Sequence, residues 1–327
     1  MPIKKSLFEL LPYSYVKAIR DKKRRIPAAY EPEIYNEYNE KMHLFYLQDD
    51  LCPFIPYSLG AGRISKYILW DRYNFGLKNH VYTHKNVLKT CGFPDKKYAL
   101  FLESGAIMPK DYTIFDTRKE LAKEFDIIFT HSQKLLNEYT NARWIPGGQV
   151  WYGGVPFGGE MSADLYLKKD KNISMVSSGK EMCSLHKKRI ATVRRLDKAG
   201  VADGFGTYPG NHTGKVNIAQ TLERYRYSIV FENNIEDYYF TEKILNCFAA
   251  MTIPVYVGAR KIGDFFDENG IIQISEDKID QIENIVRELD EKDYFNRKQA
   301  IVNNYERVQK YLCLEDYIYQ HYFKEIK

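Results

Sequence analysis

Short apolar runs alternate with more polar, helix-like segments along most of this chain. HLFYLQ (43–48), KYALFLES (97–104) and DIIFTHS (126–132) read as short buried strands, and TRKELAKEF (117–125) and SQKLLNEYTN (132–141) as helices beside them. A second series follows. NISMVSS (172–178), VADGFG (201–206), YSIVFEN (227–233), IPVYVG (253–258) and GIIQIS (270–275) read as strands. The segments CSLHKKRIATVRRLDKAG (183–200), NIAQTLERY (217–225) and TEKILNCFAAM (241–251) read as the helices between them, the first ended by Gly200. Residues 278–326 read as helical. Strands alternating with helices predict βαβ units and parallel sheets, so the fold class is α/β.

Between the two series lies WIPGGQVWYGGVPFGGEMSADLYLKKDK, with paired glycines at 147–148, 153–154 and 158–159. Clustered glycines disfavour a regular element, so this stretch is expected to be a cleft loop running into an interdomain linker. At 327 residues the chain is long enough for two domains, expected at 1–158 and 159–327, Rossmann-like and facing each other across a cleft. In such sheets ligands sit at the carboxyl ends of strands.

Composition narrows the function. A net charge of +5 is small for this length, and neither an RNP-like aromatic–basic motif nor zinc-finger spacing is present, so a nucleic-acid partner is not expected. The 27 tyrosines suit ordinary half-buried packing and also sugar or base stacking. Five scattered cysteines (52, 91, 183, 247 and 313) without a CxxC pair suggest idle thiols in a reducing compartment. No apolar run of membrane-spanning length and no secretory leader pattern is read, so a cytoplasmic protein is expected, and the two sequons at Asn172 and Asn211 are put down to chance. Residues 1–25 are basic, with Lys4, Lys5, Lys17, Arg20 and Lys22 to Arg25 set among Leu7, Phe8, Leu10 and Leu11. Such a segment fits peripheral contact with an anionic membrane, and equally a solvated helix or frayed end.

The most informative stretch is VFENNIEDYYFTEKILN (230–246). An apolar strand delivers Glu232 and Asn233, an acidic and aromatic loop follows, and Thr241 is placed to cap a helix. Lys243 then falls in the first helical turn, at the positive end of the helix dipole, where a cation is mildly disfavoured. Unpaired backbone N–H groups at such a turn make an anion site. Backbone donors, a lysine, a carboxylate for ribose or sugar hydroxyls and a tyrosine fit a nucleoside diphosphate. Each of these residues taken singly has an ordinary structural explanation. Their joint occurrence is the signal.

FENNIEDYYFTEKILNCFAAMTIPVYVG resembles the signature of the α-1,3/α-1,4-fucosyltransferases, glycosyltransferase family 10: FEN-x5-Y-x-TEK, a helix, and a small-x-(V/I)-P-(V/I) strand ending in glycine. Phe231-Glu232-Asn233, Tyr239, Thr241-Glu242-Lys243, Ile253-Pro254-Val255 and Gly258 are all in register. The resemblance covers about 172–275. It implies a GT-B fold and inverting transfer from a nucleotide sugar, by default GDP-fucose, to a glycan or glycolipid acceptor, with the acceptor held by the first domain. It also implies that Lys243 contacts the diphosphate, Glu242 the ribose, and Tyr239 and Asn233 the donor. An arginine on the first helix of the second domain meets the diphosphate in that family. Arg189 is the candidate here, ahead of Arg194 and Lys180, and a solvated basic helix face is the competing explanation.

Inverting transfer needs a base for the acceptor hydroxyl. The family places a glutamate just after a first-domain strand in a Glu-Ser-Pro-like context, and Glu103 followed by Ser104 matches it without the proline. His131 is the rival base. Arg189, Lys243 and the helix N-terminus would carry the leaving-group charge, so neither a metal nor a cofactor is expected. Asp49-Asp50 is read as a solvated turn rather than a metal site. The alternatives are a related transferase using another sugar nucleotide and a non-catalytic glycan- or nucleotide-binding module of the same fold.

Overall fold

The computed structural model describes residues 42–50, 63, 65–72, 74–154, 157–211 and 213–324. The basic N-terminal segment, Cys52 and the centre of the second sequon lie outside these residues. The described residues form two units. The first ends at Ile145 and resumes at Cys313, and the second spans Pro146–Leu312.

The first unit is built on six parallel strands: β1 (His43–Gln48), β2 (Ile68–Asp71), β3 (Asn79–Thr83), β4 (Lys96–Phe101), β5 (Ile127–Thr130) and β6 (Ala142–Trp144). Their order is β2-β1-β3-β4-β5-β6. The patterning predicts β1, β4 and β5. It misses β2 and β6, which are only four and three residues long, and β3, whose NHVYT carries the polar Asn79, His80 and Thr83. The single helix expected at 117–125 is instead two short ones, α1 (Ile114–Thr117) and α2 (Lys119–Ala122). They are separated at Arg118, whose ψ of 62° is not helical. Helix α3 (Gln133–Glu138) follows β5. Tyr46, Tyr82, Phe101, Phe115 and Ile128 form the core against one face.

The second unit has five parallel strands: β7 (Lys171–Ser177), β8 (Asp203–Gly206), β9 (Tyr225–Phe231), β10 (Ile253–Val257) and β11 (Ile272–Gln273), in the order β11-β10-β9-β7-β8. β10 is buried at every position, as the near-continuous apolar run of a covered parallel strand requires. Pro254 is tolerated because β11 joins β10 only from Val255 onward, so the proline lies where β10 has a single neighbour. Helices α4 (Ser184–Lys198), α5 (Ile218–Leu222) and α6 (Glu242–Ala249) connect the strands. The long helical close divides into α7 (Ile282–Arg287), α8 (Glu291–Asn296), α9 (Lys298–Val308) and α10 (Leu314–Ile318).

Two features correct the expected boundary at 158/159. The glycine-rich loop is not a linker but docks on the second unit: Gly147 N donates to Phe240 O (2.9 Å), Val150 N to Tyr311 O (3.0 Å), and Trp151 N and Tyr152 N to Asn246 Oδ1 (2.8 and 2.9 Å). The end of the chain belongs to the first unit. Trp70 Nε1 donates to the buried Glu315 Oε1 (2.9 Å), Ser65 Oγ to Asp316 Oδ1 (2.6 Å), and Phe323 stacks on Phe45 at 5.2 Å. Among the described residues no helix is long and apolar enough to cross a membrane, and Cys91, Cys183, Cys247 and Cys313 form no disulfide.

The end of α6 is fixed by a buried cation. Lys169, 4% exposed, donates to Leu222 O (2.9 Å), Ala250 O (2.7 Å) and Thr252 Oγ1 (2.9 Å), one acceptor for each ammonium proton. Burial pulls this ammonium down from the usual lysine range to about 7. Between that value and the ordinary 10.5, the unfolded chain binds a proton that the folded chain does not, so this group's contribution to stability rises with pH across the window. The wild-type protein is expected to gain resistance to urea between pH 7 and 9, by at most about 1.4 kcal/mol per pH unit. The Lys169→Met chain should lose that difference and be less stable at both pH values, because Ala250 O loses its ammonium donor while Leu222 O is left with the bond from Thr252 Oγ1.

Candidate active site

Both sheets place their first strand between the second and the third. The chain therefore leaves in opposite directions from β7, toward β8 and toward β9, which makes the carboxyl ends of β7 and β9 a topological switch point, the place where open α/β sheets bind ligands. Ser177 and Ser178 stand at the end of β7, and Glu232 and Asn233 at the end of β9.

Glu232 continues β9 and is fully buried. Its backbone N–H stays in the ladder, donating to Val257 O at 2.8 Å. Its carboxylate accepts from Thr241 N (2.9 Å), Thr241 Oγ1 (2.7 Å) and Lys243 Nζ (3.4 Å), and also from the Tyr256 hydroxyl. Burial pushes the Glu232 carboxyl above its ordinary value, and the Lys243 charge beside it opposes that rise. Thr241 caps α6, as expected, by accepting from Lys243 N. The lysine in an unfavourable first turn is thereby explained: Lys243 Nζ lies 3.4 Å from Glu232, 3.1 Å from Glu242 Oε1 and 3.0 Å from Thr241 Oγ1, with 21% of its side chain still exposed. Glu232 at the end of β9 and Glu242 in the turn together outweigh the helix dipole.

Arg189 is not on a solvated face. It lies on the buried side of α4, 7% exposed, with Nε donating to Ser177 Oγ and Nη2 to Ser178 Oγ, both at 3.2 Å. Burial lowers its pKa, opposed by Cys183, Glu242 and Glu232. Arg194 and Lys180 are exposed. Asn233 Oδ1 meets His186 Nε2 at 2.8 Å, and His186 Nδ1 accepts from Met182 N, which fixes the ring proton on Nε2. His186 escaped the sequence reading, although it stands three residues before Arg189 on the same helical face. Tyr239 is 1% exposed, and its ring lies beneath Gly147, where a Cβ would come within 2.7 Å of it. At Gly148 a Cβ would stand 3.2 Å from the Glu242 amide nitrogen. The paired glycines therefore let the loop lie close over the start of α6. Arg189, Asn233, Glu242 and Lys243 thus gather at one strand edge, with Tyr239 beneath.

The first unit has its own switch point, between β1 and β3. A cavity of about 440 Å³ opens there, lined among others by Asp50, His84, Lys85, Asn86, Lys110 and Asp111. Asp49 is buried rather than solvated, accepting from Thr83 Oγ1 at 2.7 Å and from Arg72 Nη1 at 3.4 Å, because the strand ends around it exclude water. Glu103, just past β4, is half-buried, and its Oε1 accepts from Ser104 N at 2.9 Å. His131 is fully buried, with Nε2 2.9 Å from the Tyr112 hydroxyl, which itself donates to Glu103 O. Among the described residues no group of three or more His, Cys, Asp or Glu gathers as a metal site would require.

Residues 166–315 match the family described as glycosyltransferase family 10 (fucosyltransferase) C-term. The likeness to family 10 holds over the C-terminal region. A fucosyltransferase-like protein of Arabidopsis thaliana is 34% identical over 84 residues, 25% of this chain and 16% of that protein. The human 4-galactosyl-N-acetylglucosaminide 3-alpha-L-fucosyltransferase 9 is 24% identical over 143 residues, 41% of this chain and 40% of the enzyme. The chain thus spans less than half the length of these relatives. A crystal structure of an alpha1,3-fucosyltransferase aligns with 78% of this chain and 80% of its own at 15% identity, with a TM-score of 0.47.

Proposed function

We propose that this protein is an inverting glycosyltransferase that moves fucose from GDP-fucose to a hydroxyl of a glycan or glycolipid. The observation that carries the reading is the buried Arg189, held by Ser177 and within electrostatic reach of Glu232 and Glu242, the two carboxylates that Lys243 also meets, at the switch point of a sheet whose sequence matches family 10. In this reading the second unit takes the donor. Arg189, Lys243 and the α6 amides meet the diphosphate, Glu242 the ribose, and Asn233 the donor, held in place by His186, while Tyr239 supports the loop from below. The first unit takes the acceptor, and its 440 Å³ cavity has mixed charges suited to hydroxyl groups. Glu103 removes the acceptor proton as that oxygen attacks the anomeric carbon. The bond from that carbon to the diphosphate oxygen breaks, and GDP leaves with its new charge met by Arg189 and Lys243.

The test is calorimetric titration with GDP, GDP-fucose and other sugar nucleotides, followed by assay for released nucleoside diphosphate. Selective binding of GDP-fucose with turnover supports the reading, and binding without turnover of any donor points to a non-catalytic module. A product whose anomeric configuration matches the donor's would refute inversion. Because protein cations are assigned to the leaving group, turnover is expected to be unchanged by EDTA. Gly148→Ala puts a methyl group against the Glu242 amide and should weaken GDP binding roughly 3- to 10-fold, with a stability cost of about 1 kcal/mol from overpacking.

A further inference from the structure

Among the described residues two outside glycine have left-handed backbone, Met251 and His84, with His84 at φ 50°. That conformation is costly for a side chain with a Cβ, and such strain persists where surroundings impose it. At His84 it has a visible consequence. β3 ends at Thr83, whose register partner on β4 is Leu100. Leu102 and Glu103 lie beyond that pairing, and β3 no longer accompanies them. The turned His84 takes over. Its Nε2 stands 3.1 Å from the backbone N of Leu102 and 3.1 Å from that of Glu103.

One imidazole nitrogen accepting two amide protons must be unprotonated, so the ring proton lies on Nδ1, 3.2 Å from Asp111 Oδ2. The ring is 3% exposed and wedged edge-on against Phe101 and Tyr112, at centroid distances of 5.6 and 6.4 Å. The next peptide, on the carbonyl side of Glu103, is held by Tyr112, whose hydroxyl donates to Glu103 O at 2.5 Å. The backbone of Glu103 is therefore gripped at N–H and C=O by two side chains from different elements. β4 has ended at Phe101, so the consecutive amides of Leu102 and Glu103 converge on one acceptor, which an extended strand cannot offer because its successive N–H groups point to opposite sides, and His84 meets them beside the cavity that it also lines. A side-chain acceptor on a sharp turn satisfies the amides and leaves the space open.

We infer that His84 is a positioning residue for Glu103: its neutral imidazole fixes the peptide from which the carboxylate projects, while its turn keeps the neighbouring cavity clear. This rests on Glu103 being the base. The sum of small displacements it prevents is consequential, because a misplacement near 1 Å at a reacting group costs on the order of 100-fold in rate.

Three full-length variants, with Glu103→Gln as reference, test the inference. His84→Gly removes the acceptor and relieves the backbone strain. His84→Leu removes the acceptor and keeps the bulk. His84→Gln returns an acceptor oxygen near the Nε2 position. Turnover and KM are read with GDP-fucose, and amide hydrogen exchange is read on the segment holding residues 102 and 103. The expected result is a kcat lower by roughly 10- to 100-fold in the Gly and Leu variants, with KM for GDP-fucose within about twofold. Exchange at 102–103 should be faster in both, and His84→Gln should recover most of each effect. A merely structural role would instead let His84→Gly match the wild type and would show no rescue by glutamine. The inference is overturned if the Gly variant keeps its kcat while Glu103→Gln is inactive, or if the Gln and Gly variants lose equally. Should Glu103→Gln itself turn over normally, the assignment of the base falls first and His84 loses its object.

Discussion

Lys243→Met is expected to weaken binding of GDP about 10- to 100-fold, the loss of one charge-assisted contact worth ~1.5–3 kcal/mol. A second effect follows from the fully buried carboxylate behind it. Glu232 lies 3.4 Å from Lys243 Nζ, and its pKa is already raised by burial and restrained by that charge. Without the lysine the folded-state pKa climbs further. A carboxyl whose pKa is higher folded than unfolded contributes stability below its unfolded value and loses it as pH rises through the folded one. The variant should therefore differ least from wild type near pH 5 and most near pH 8, as read from urea midpoints. Adding Glu232→Gln removes the stranded charge. The double variant should regain much of the stability and none of the affinity, which separates the lysine's two roles. Unchanged GDP affinity in Lys243→Met would refute its donor role.

Glu103→Gln should leave donor binding intact and lower transfer by a factor on the order of 100 to 10,000, the usual yield of a positioned proton acceptor. The replacement keeps an oxygen able to accept from Ser104 N, now 2.9 Å from the carboxylate, so the loop should hold its shape. Calorimetry with GDP-fucose and a turnover assay on one preparation make the comparison. His131 offers a contrast. It is wholly buried and reaches Glu103 only through Tyr112 and a backbone carbonyl. His131→Phe is expected to affect stability more than the order of events at the acceptor oxygen. Near-normal transfer by Glu103→Gln would move the proton elsewhere.

The residues that proved hardest to read are those whose partners are distant in sequence. Arg189 could be singled out, but surrounded by Lys187, Lys188, Arg194 and Arg195 it looked equally like a solvated face. Its burial against Ser177 and Ser178 depends on which side of α4 meets the sheet. The unit boundary escapes local patterning for the same reason. The tail's anchors, Trp70 with Glu315 and Ser65 with Asp316, join positions about 250 residues apart. Nothing local marks Tyr239 as a floor under Gly147 either, since an aromatic in a polar loop equally suits a ligand.

From residue order alone come the α/β class, the strand ending at Glu232, the Thr241 cap and the lysine behind it. All are written in short runs, where apolar patterning, capping chemistry and backbone geometry act over a few residues. Folding added what depends on strand order and on what each side chain meets across the sheet: the shared switch-point topology, the burial of Glu232 and Arg189, the cavity beside β3, and the imidazole that takes the amides of Leu102 and Glu103. Those are properties of packing, in which burial strengthens charges and fixes hydrogen-bond partners, and no local stretch of chain contains the neighbours that impose them.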